Sequence, residues 1–327
     1  MPEITLLESI HQGIDEMMAA DARIFVFGED VGRRGGVFRV TEGLIDKYGP
    51  LRVLDSPLAE SVIVGACIGA AMNDTLPIAE IQFADFIYPS FNQIISEAAR
   101  IRYRSNGAWS VPIVIRAPYG GGIHGALYHS QSIEAFFCHI PGLKIVAPST
   151  PYDAKGLLKA SIEDPDPVLF LEHKKCYRLI KGEVPEEDYR IPIGKADIKR
   201  AGRAMTVITY GLMLHYCLEA AEELAGEGVE VEVLDLRTLR PLDSEAILSS
   251  VRKTSKALIV HEDNLTGGLG GEIAALISQQ AFEYLDGPIT RICAPDVPAM
   301  PYSKPLEDAF MPSPARIADA MRKLAAY

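Results

Sequence analysis

One pattern limits what this chain can become. Short runs rich in Val, Ile and Leu, barely alternating with polar residues, are followed again and again by stretches with helical spacing. Runs of that kind are what strands buried on both faces of a parallel sheet look like. The first set reads "RIFVFGED" (23–30), "LRVLDS" (51–56), "LPIAEIQF" (76–83), "VPIVIRAP" (111–118), "LKIVAPS" (143–149) and "PVLFLEH" (167–173). Helices are predicted around 60–72, 85–103, 132–139 and 152–163. A further helix opens at "TLLESIHQGIDEMM", where Leu6, Leu7, Ile10, Ile14, Met17 and Met18 keep helical spacing behind a Thr5/Glu8 capping-box pair.

From Lys174 the pattern lapses into charged, proline-bearing sequence, and 181–202 reads as a connection. A second alternating set then follows, with strands "AMTVITYG", "VEVEVLDLRTL", "KALIVHED" and "PITRICAP" and a C-terminal helix from about Ala315. The expectation is two α/β domains with parallel sheets, over 1–180 and 203–327. There is no fixed-period repeat, low-complexity tract or heptad pattern.

The 327 residues suffice for two such domains. Lys and Arg number 32 against 44 Asp and Glu, a formal charge of -12, which argues against a nucleic-acid backbone as main partner. Cys67, Cys138, Cys176, Cys217 and Cys293 are scattered, with no Cys-x-x-Cys, unlike a disulfide framework or zinc site. Cys67 and Cys138 sit in apolar surroundings and read as small core residues. "MPEITLLESI" lacks the basic and apolar regions of a signal peptide, and the most apolar run, "SVIVGACIGAAM" (61–72), is too short to span a bilayer. A reduced, soluble, cytoplasmic protein is expected.

In open α/β sheets, ligands lie off the C-terminal ends of the strands. That rule selects Glu60 after the second strand, Gln82 and Phe86 after the third, and the loop "APYGGGIHGALYHSQS" with His124 and His129 after the fourth. For Glu60 two readings stand: a carboxylate favoured at a helix N-terminus by the dipole, or an acid that shares a proton with a ring nitrogen. His129 is either a structural histidine near a helix start or a proton carrier. Gly120, Gly121, Gly122 and Gly125 would let backbone approach a ligand closely, and His124 reads as structural. "TGGLGGEI" (266–273) has Ile273 where a third glycine would complete G-x-G-x-x-G, so it reads as helix packing. His261 and Glu262, at a strand end, could line an interface.

"GEDVGRRGGVFRVTEGL", "DSPLAES", "EIQFADF", "RIRYRSNG", "GGGIHGALYHSQS" and "PSTPYDAKGLL" together resemble the β subunit of thiamine-dependent 2-oxo acid dehydrogenases, over essentially the whole chain. "HGALYHSQS" and "IQFADF" look most like the branched-chain, 2-oxoisovalerate type. The resemblance implies a transketolase-like pyrimidine-binding domain, then a transketolase C-terminal α/β domain. It also implies thiamine diphosphate and Mg²⁺ bound between this chain and an α subunit, in an α₂β₂ heterotetramer that serves a lipoyl acyltransferase core. Residue by residue, Glu60 matches the glutamate that bonds N1′ of the aminopyrimidine, and Gln82 and Phe86 match positions lining that ring. Phe86 stands where some relatives have tyrosine. Leu58 matches an aliphatic residue beside the cofactor, and His129 the histidine that serves acyl transfer to the lipoyl group. His124 is read as shaping the loop. A structural potassium ion in some relatives would map to Val111, Ile113, Val114, Ser161, Asp164 and Asp166.

Three other readings remain at this point: a pyruvate-type β subunit, a single-chain ketol synthase, and a non-catalytic scaffold subunit. The absence of any Gly-Asp-Gly, the start of the diphosphate motif, argues against a self-sufficient enzyme. The presence of Glu60 and His129 argues against a bare scaffold.

Overall fold

The computed structural model describes residues 2–327 and divides into two compact units: the residues up to 119 with 136–193, and 120–135 with 194–327. In the first unit the strands are β1 (Glu3–Thr5), β2 (Ile24–Gly28), β3 (Val53–Asp55), β4 (Leu76–Glu80), β5 (Val114–Tyr119), β6 (Lys144–Val146), β7 (Val168–His173) and β8 (Lys181–Glu183). Six of them pair in parallel in the order β6-β7-β5-β4-β2-β3. Every residue of β5 and β7 is buried, as the unalternating runs require. β1 and β8 form a separate antiparallel pair. Residues 181–183 thus belong to a strand, although the sequence around them reads as connection.

The helix α1 (Leu6–Ala20) has the expected capping box, with both the Thr5 side chain and the Glu8 side chain engaged. After α2 (Leu44–Tyr48) comes α3 (Glu60–Ala71). The helix expected over 85–103 is broken instead. It consists of 3₁₀ turns at Ala84–Phe86 and Tyr88–Ser90, a π-helical segment at Gln93–Ala98, and α4 (Ile101–Arg104). Pro89 gives a local cause: its ring has no N–H to continue an α-helical ladder. The short α5 (Glu134–Cys138), α6 (Pro151–Glu163) and α7 (Cys176–Leu179) follow.

A fully buried ion network stitches the middle of this sheet. Arg116 on β5 reaches Glu172 on β7 through two bonds of 2.7 and 2.8 Å and also binds Glu80 on β4. Tyr177 donates its hydroxyl to Glu172. Burial pushes the Glu80 carboxyl up, while the Arg116 charge opposes that shift.

In the second unit the strands are β9 (Asp197–Arg200), β10 (Met205–Thr209), β11 (Val231–Asp235), β12 (Thr238–Arg240), β13 (Ala257–Asn264) and β14 (Thr290–Ala294). The sheet order is β14-β13-β10-β11-β9, parallel except for β9, which runs antiparallel to β11. Residues 197–200, read as connection, are therefore an edge strand. The helices are α8 (Leu212–Ala225), α9 (Ser244–Thr254), α10 (Leu269–Gln280), α11 (Lys304–Phe310) and α12 (Pro314–Ala325). The glycines before and within α10 do pack: a Cβ on Gly270 would lie 2.6 Å from His261 Nε2, and Gly270 N–H donates to that same atom at 3.1 Å. Among the described residues, no helix is long and apolar enough to cross a membrane.

Candidate functional site

The strand order of the first unit decides which loops meet. β2 lies between β3 and β4, so the segments leaving these three strands share one end of the sheet. Leu58 and Glu60 follow β3, Gln82 and Phe86 follow β4, and between them comes Glu29, directly after β2. Glu60 is the first residue of α3, whose N-cap, Ala59, offers no side-chain oxygen to the free N–H groups. Gln82 Nε2 donates to the Glu29 carbonyl oxygen at 3.4 Å.

Glu29 is only 3 % exposed, and its Oε1 is buried with no hydrogen-bond partner. Burial is the main cause that raises its pKa, and the nearby Glu60 charge adds to it. A buried carboxyl oxygen without a partner costs roughly 1–3 kcal/mol, and a catalytic role is one of the reasons a native structure keeps such a group. Phe86 is held by aromatic packing: Phe83 meets it edge-on at 5.6 Å and meets Phe38 at 5.3 Å. Leu58 is 83 % exposed. The set offers carboxylates, an amide, an aromatic ring and an exposed aliphatic side chain. That chemistry suits a flat heteroaromatic ring with a basic nitrogen and an amino group, so the aminopyrimidine of thiamine fits these residues.

The fourth strand end is built differently. The chain leaves β5 at Tyr119, and residues 120–135, with both histidines, belong to the second unit. Gly120 N–H closes the loop on the Gln131 carbonyl at 3.0 Å. His129 is half-buried at the end of a 3₁₀ turn, Ala126–Tyr128. His124 is half-exposed, with its Nδ1 2.6 Å from Glu307 Oε2. Gly121 N–H donates to Glu262, and a Cβ there would collide with Met300. Beyond His129, Tyr210 donates its hydroxyl to Glu134 at 2.7 Å. Burial, with the Asp263 charge adding to it, pushes Glu134 up to about 8. Burial likewise raises Asp263 to about 6.

The residues matched to potassium do not form a side-chain cage. Asp164 is held by Lys144 at 2.6 Å through both oxygens, Asp166 pairs with Arg102, and Ser161 donates to the Leu157 carbonyl at 2.7 Å. The Val111 and Ile113 carbonyls already accept the N–H groups of Ile113 and Val168. Both carboxylates are thus neutralised by cationic side chains.

Glu29 is within reach of sequence reasoning, because the strand-end rule that selects Glu60 and Gln82 selects it too. Glu307 carries no such signal. It lies on a seven-residue helix far along the chain, and only the fold brings it to the glycine loop. Glu262, read from the sequence as a strand-end residue that could line an interface, takes the N–H of Gly121 within its own unit.

The transketolase pyrimidine-binding domain model matches residues 2–180, and the transketolase C-terminal domain model matches 194–317. The chain is 59% identical over 327 residues to the 2-oxoisovalerate dehydrogenase subunit beta of Bacillus subtilis (strain 168), covering 100% of both chains. It is 49% identical over 325 residues to the pyruvate dehydrogenase E1 component subunit beta of Acholeplasma laidlawii, covering 99% of each. Among solved structures, an inactive β4 tetramer of a split-gene transketolase shares the fold, with a TM-score of 0.79 at 23% identity, over 99% of this chain and 98% of that one. A transketolase-like architecture across both units, and full-length identity well above 30% to several such subunits, place this chain in the family of 2-oxo acid dehydrogenase β subunits.

Proposed function

We propose that this chain is the β subunit of the decarboxylating component of a branched-chain 2-oxo acid dehydrogenase. With an α subunit it carries out thiamine-dependent oxidative decarboxylation and acylates a lipoyl group. The observation that carries the reading is the full-length 59% identity to a 2-oxoisovalerate dehydrogenase subunit. The cluster of Glu29, Glu60 and Gln82 at adjoining strand ends supports it. Domain bounds of 1–180 and 203–327, joined by 181–202, form part of the proposal. So does a cytoplasmic location, which suits the free state of all five cysteines.

Bound thiamine diphosphate supplies the electron sink for decarboxylation. Glu60 holds the ring nitrogen of the aminopyrimidine and keeps a proton there. Gln82 and Phe86 orient the ring, and Leu58 excludes water beside it. His129 moves a proton as the acyl group passes to the lipoyl dithiolane. The Mg²⁺ and diphosphate fall to the α subunit, since this chain has no Gly-Asp-Gly and Mg²⁺ commonly binds through carboxylates and phosphates. The assembly is an α₂β₂ heterotetramer, the closed two-fold arrangement that such pairs favour.

The test is co-expression with the α chain, light scattering, and a panel of 2-oxo acids. Branched substrates (2-oxoisovalerate, 4-methyl-2-oxopentanoate, 3-methyl-2-oxopentanoate) are expected to exceed pyruvate in kcat/KM. A methylene in an apolar pocket is worth roughly 1–3 kcal/mol, so the preference is clear without being absolute. Pyruvate as the best substrate would move the chain to the pyruvate type. Decarboxylation by the β chain alone would overturn the two-subunit site.

A further inference from the structure

The glycine loop that carries His129 is tied down from one side by carboxylates. Glu307, on α11, is buried to 2 % exposure. Its Oε1 accepts two successive loop donors, Gly122 N–H at 2.9 Å and His124 N–H at 3.2 Å, while Oε2 lies 2.6 Å from His124 Nδ1. Glu262, at the end of β13, takes the N–H of Gly121, one residue earlier. Three neighbouring loop amides therefore end on two buried acids, from elements 40 or more residues apart in sequence.

The loop needs such anchoring. Gly120 and Gly122 have φ of 86° and 77°, and the non-glycine residues His124 and Ala126 have φ of 57° and 55°. Each non-glycine residue held there costs of order 1–3 kcal/mol and persists only where its surroundings fix it. A glycine-rich segment would otherwise sample many conformations, and His129 would move with it. A carboxylate that receives backbone N–H groups makes stronger, shorter bonds than a neutral acceptor. The Glu307 carboxylate ties down a segment that its glycines leave pliable.

We propose that Glu307, assisted by Glu262, is a positioning residue for His129, and that His124 is the loop's side-chain clasp on Glu307. The inference rests on the assignment of His129 to acyl transfer. Glu307 acts through the loop, by the Gly122 and His124 amides and the His124 side chain.

The test uses the reconstituted α–β complex with a lipoyl domain as acceptor. Two rates are read in each variant: hydrogen–deuterium exchange at thiamine C2, and reductive acylation of the lipoyl domain. Backbone amide exchange of the 120–132 peptide is followed by mass spectrometry. Glu307→Ala is expected to lower lipoyl acylation by up to about 100-fold, the scale of a misplaced reacting group, with a much smaller fall in C2 exchange. The 120–132 amides should exchange faster, while β10 and β13 peptides stay protected. Glu307→Gln keeps an oxygen for the two N–H groups and should restore most of the protection and part of the acylation rate. Glu262→Gln gives a second variant should the alanine form fail to assemble, with a milder effect in the same direction.

Unchanged protection of the 120–132 amides in Glu307→Ala overturns the anchoring. Equal losses of C2 exchange and lipoyl acylation overturn the positioning role. If wild-type complex acylates no lipoyl domain, the functional assignment fails by itself, and the amide exchange still decides whether Glu307 holds the loop.

Discussion

Glu29 and Glu60 are electrostatically coupled at the ends of neighbouring strands. Burial raises the Glu29 pKa, and the nearby Glu60 charge adds to that rise. Replacing Glu60 therefore changes two acids at once. Glu60→Gln preserves side-chain volume and should leave the fold intact. Loss of the proton-holding group should slow exchange at thiamine C2 by about 10²–10⁴-fold, and the Glu29 pKa should fall as its like-charged neighbour disappears. Exchange measured by quench-flow NMR on the α–β complex checks this. A rate equal to wild type would remove Glu60 from proton handling.

His129→Ala is expected to separate two activities. Transfer to the lipoyl domain should fall by about 10²–10⁴-fold, the range for a lost proton-transfer group. Decarboxylation followed with an artificial electron acceptor should retain much more of its rate. Parallel steady-state assays with the two acceptors decide the matter, and matching losses would point to a loop defect rather than a chemical role.

Glu134 predicts a pH dependence of stability. Its pKa rises from an ordinary 4.5 to about 8 because it is wholly buried, with the Asp263 charge adding to the effect. Between those values the native chain keeps a proton that the unfolded chain has released, so stability falls as pH rises from about 4.5 to about 8. The limiting slope for one proton is about 1.4 kcal/mol per pH unit. Asp263, raised to about 6, acts with the same sign. Glu134→Gln keeps an acceptor for Tyr210 and should lose less stability between pH 6 and pH 8 than wild type. Urea midpoints at the two pH values measure the difference, and parallel losses would count against a protonated Glu134.

Arg116→Met should destabilise the first unit strongly. The variant would leave Glu80 and Glu172 buried together without their cation. Breaking a buried pair in this way costs roughly 3–5 kcal/mol. Urea denaturation monitored by circular dichroism gives the value, and a loss below about 1 kcal/mol would mean that the two acids protonate at little cost.

Much of the architecture is written locally. Unalternating Val/Ile/Leu runs specify buried parallel strands because only strands covered on both faces need them, and Thr5 with Glu8 specifies the start of α1 because the cap is satisfied within four residues. The strand-end rule selects Glu60, Gln82, Phe86 and the glycine loop from their positions after predicted strands. It reaches Glu29 equally, since that residue follows β2 directly. The breaks at 84–98 are only partly local: Pro89 marks one, while the π-helical segment at 93–98 has no sequence signal that we can name.

What the sequence could not contain is adjacency between distant segments. That β2 lies between β3 and β4, and so brings Glu29 to Gln82, is a property of sheet order, which depends on crossovers and packing rather than on any one run of residues. The assignment of 120–135 to the second unit, the partnership of Tyr210 with Glu134, and the reach of Glu307 to Gly122 and His124 span 76 to 185 residues of chain. A glycine loop has little intrinsic preference for one conformation. Its shape, and with it the place of His129, is decided by buried carboxylates that tertiary structure delivers.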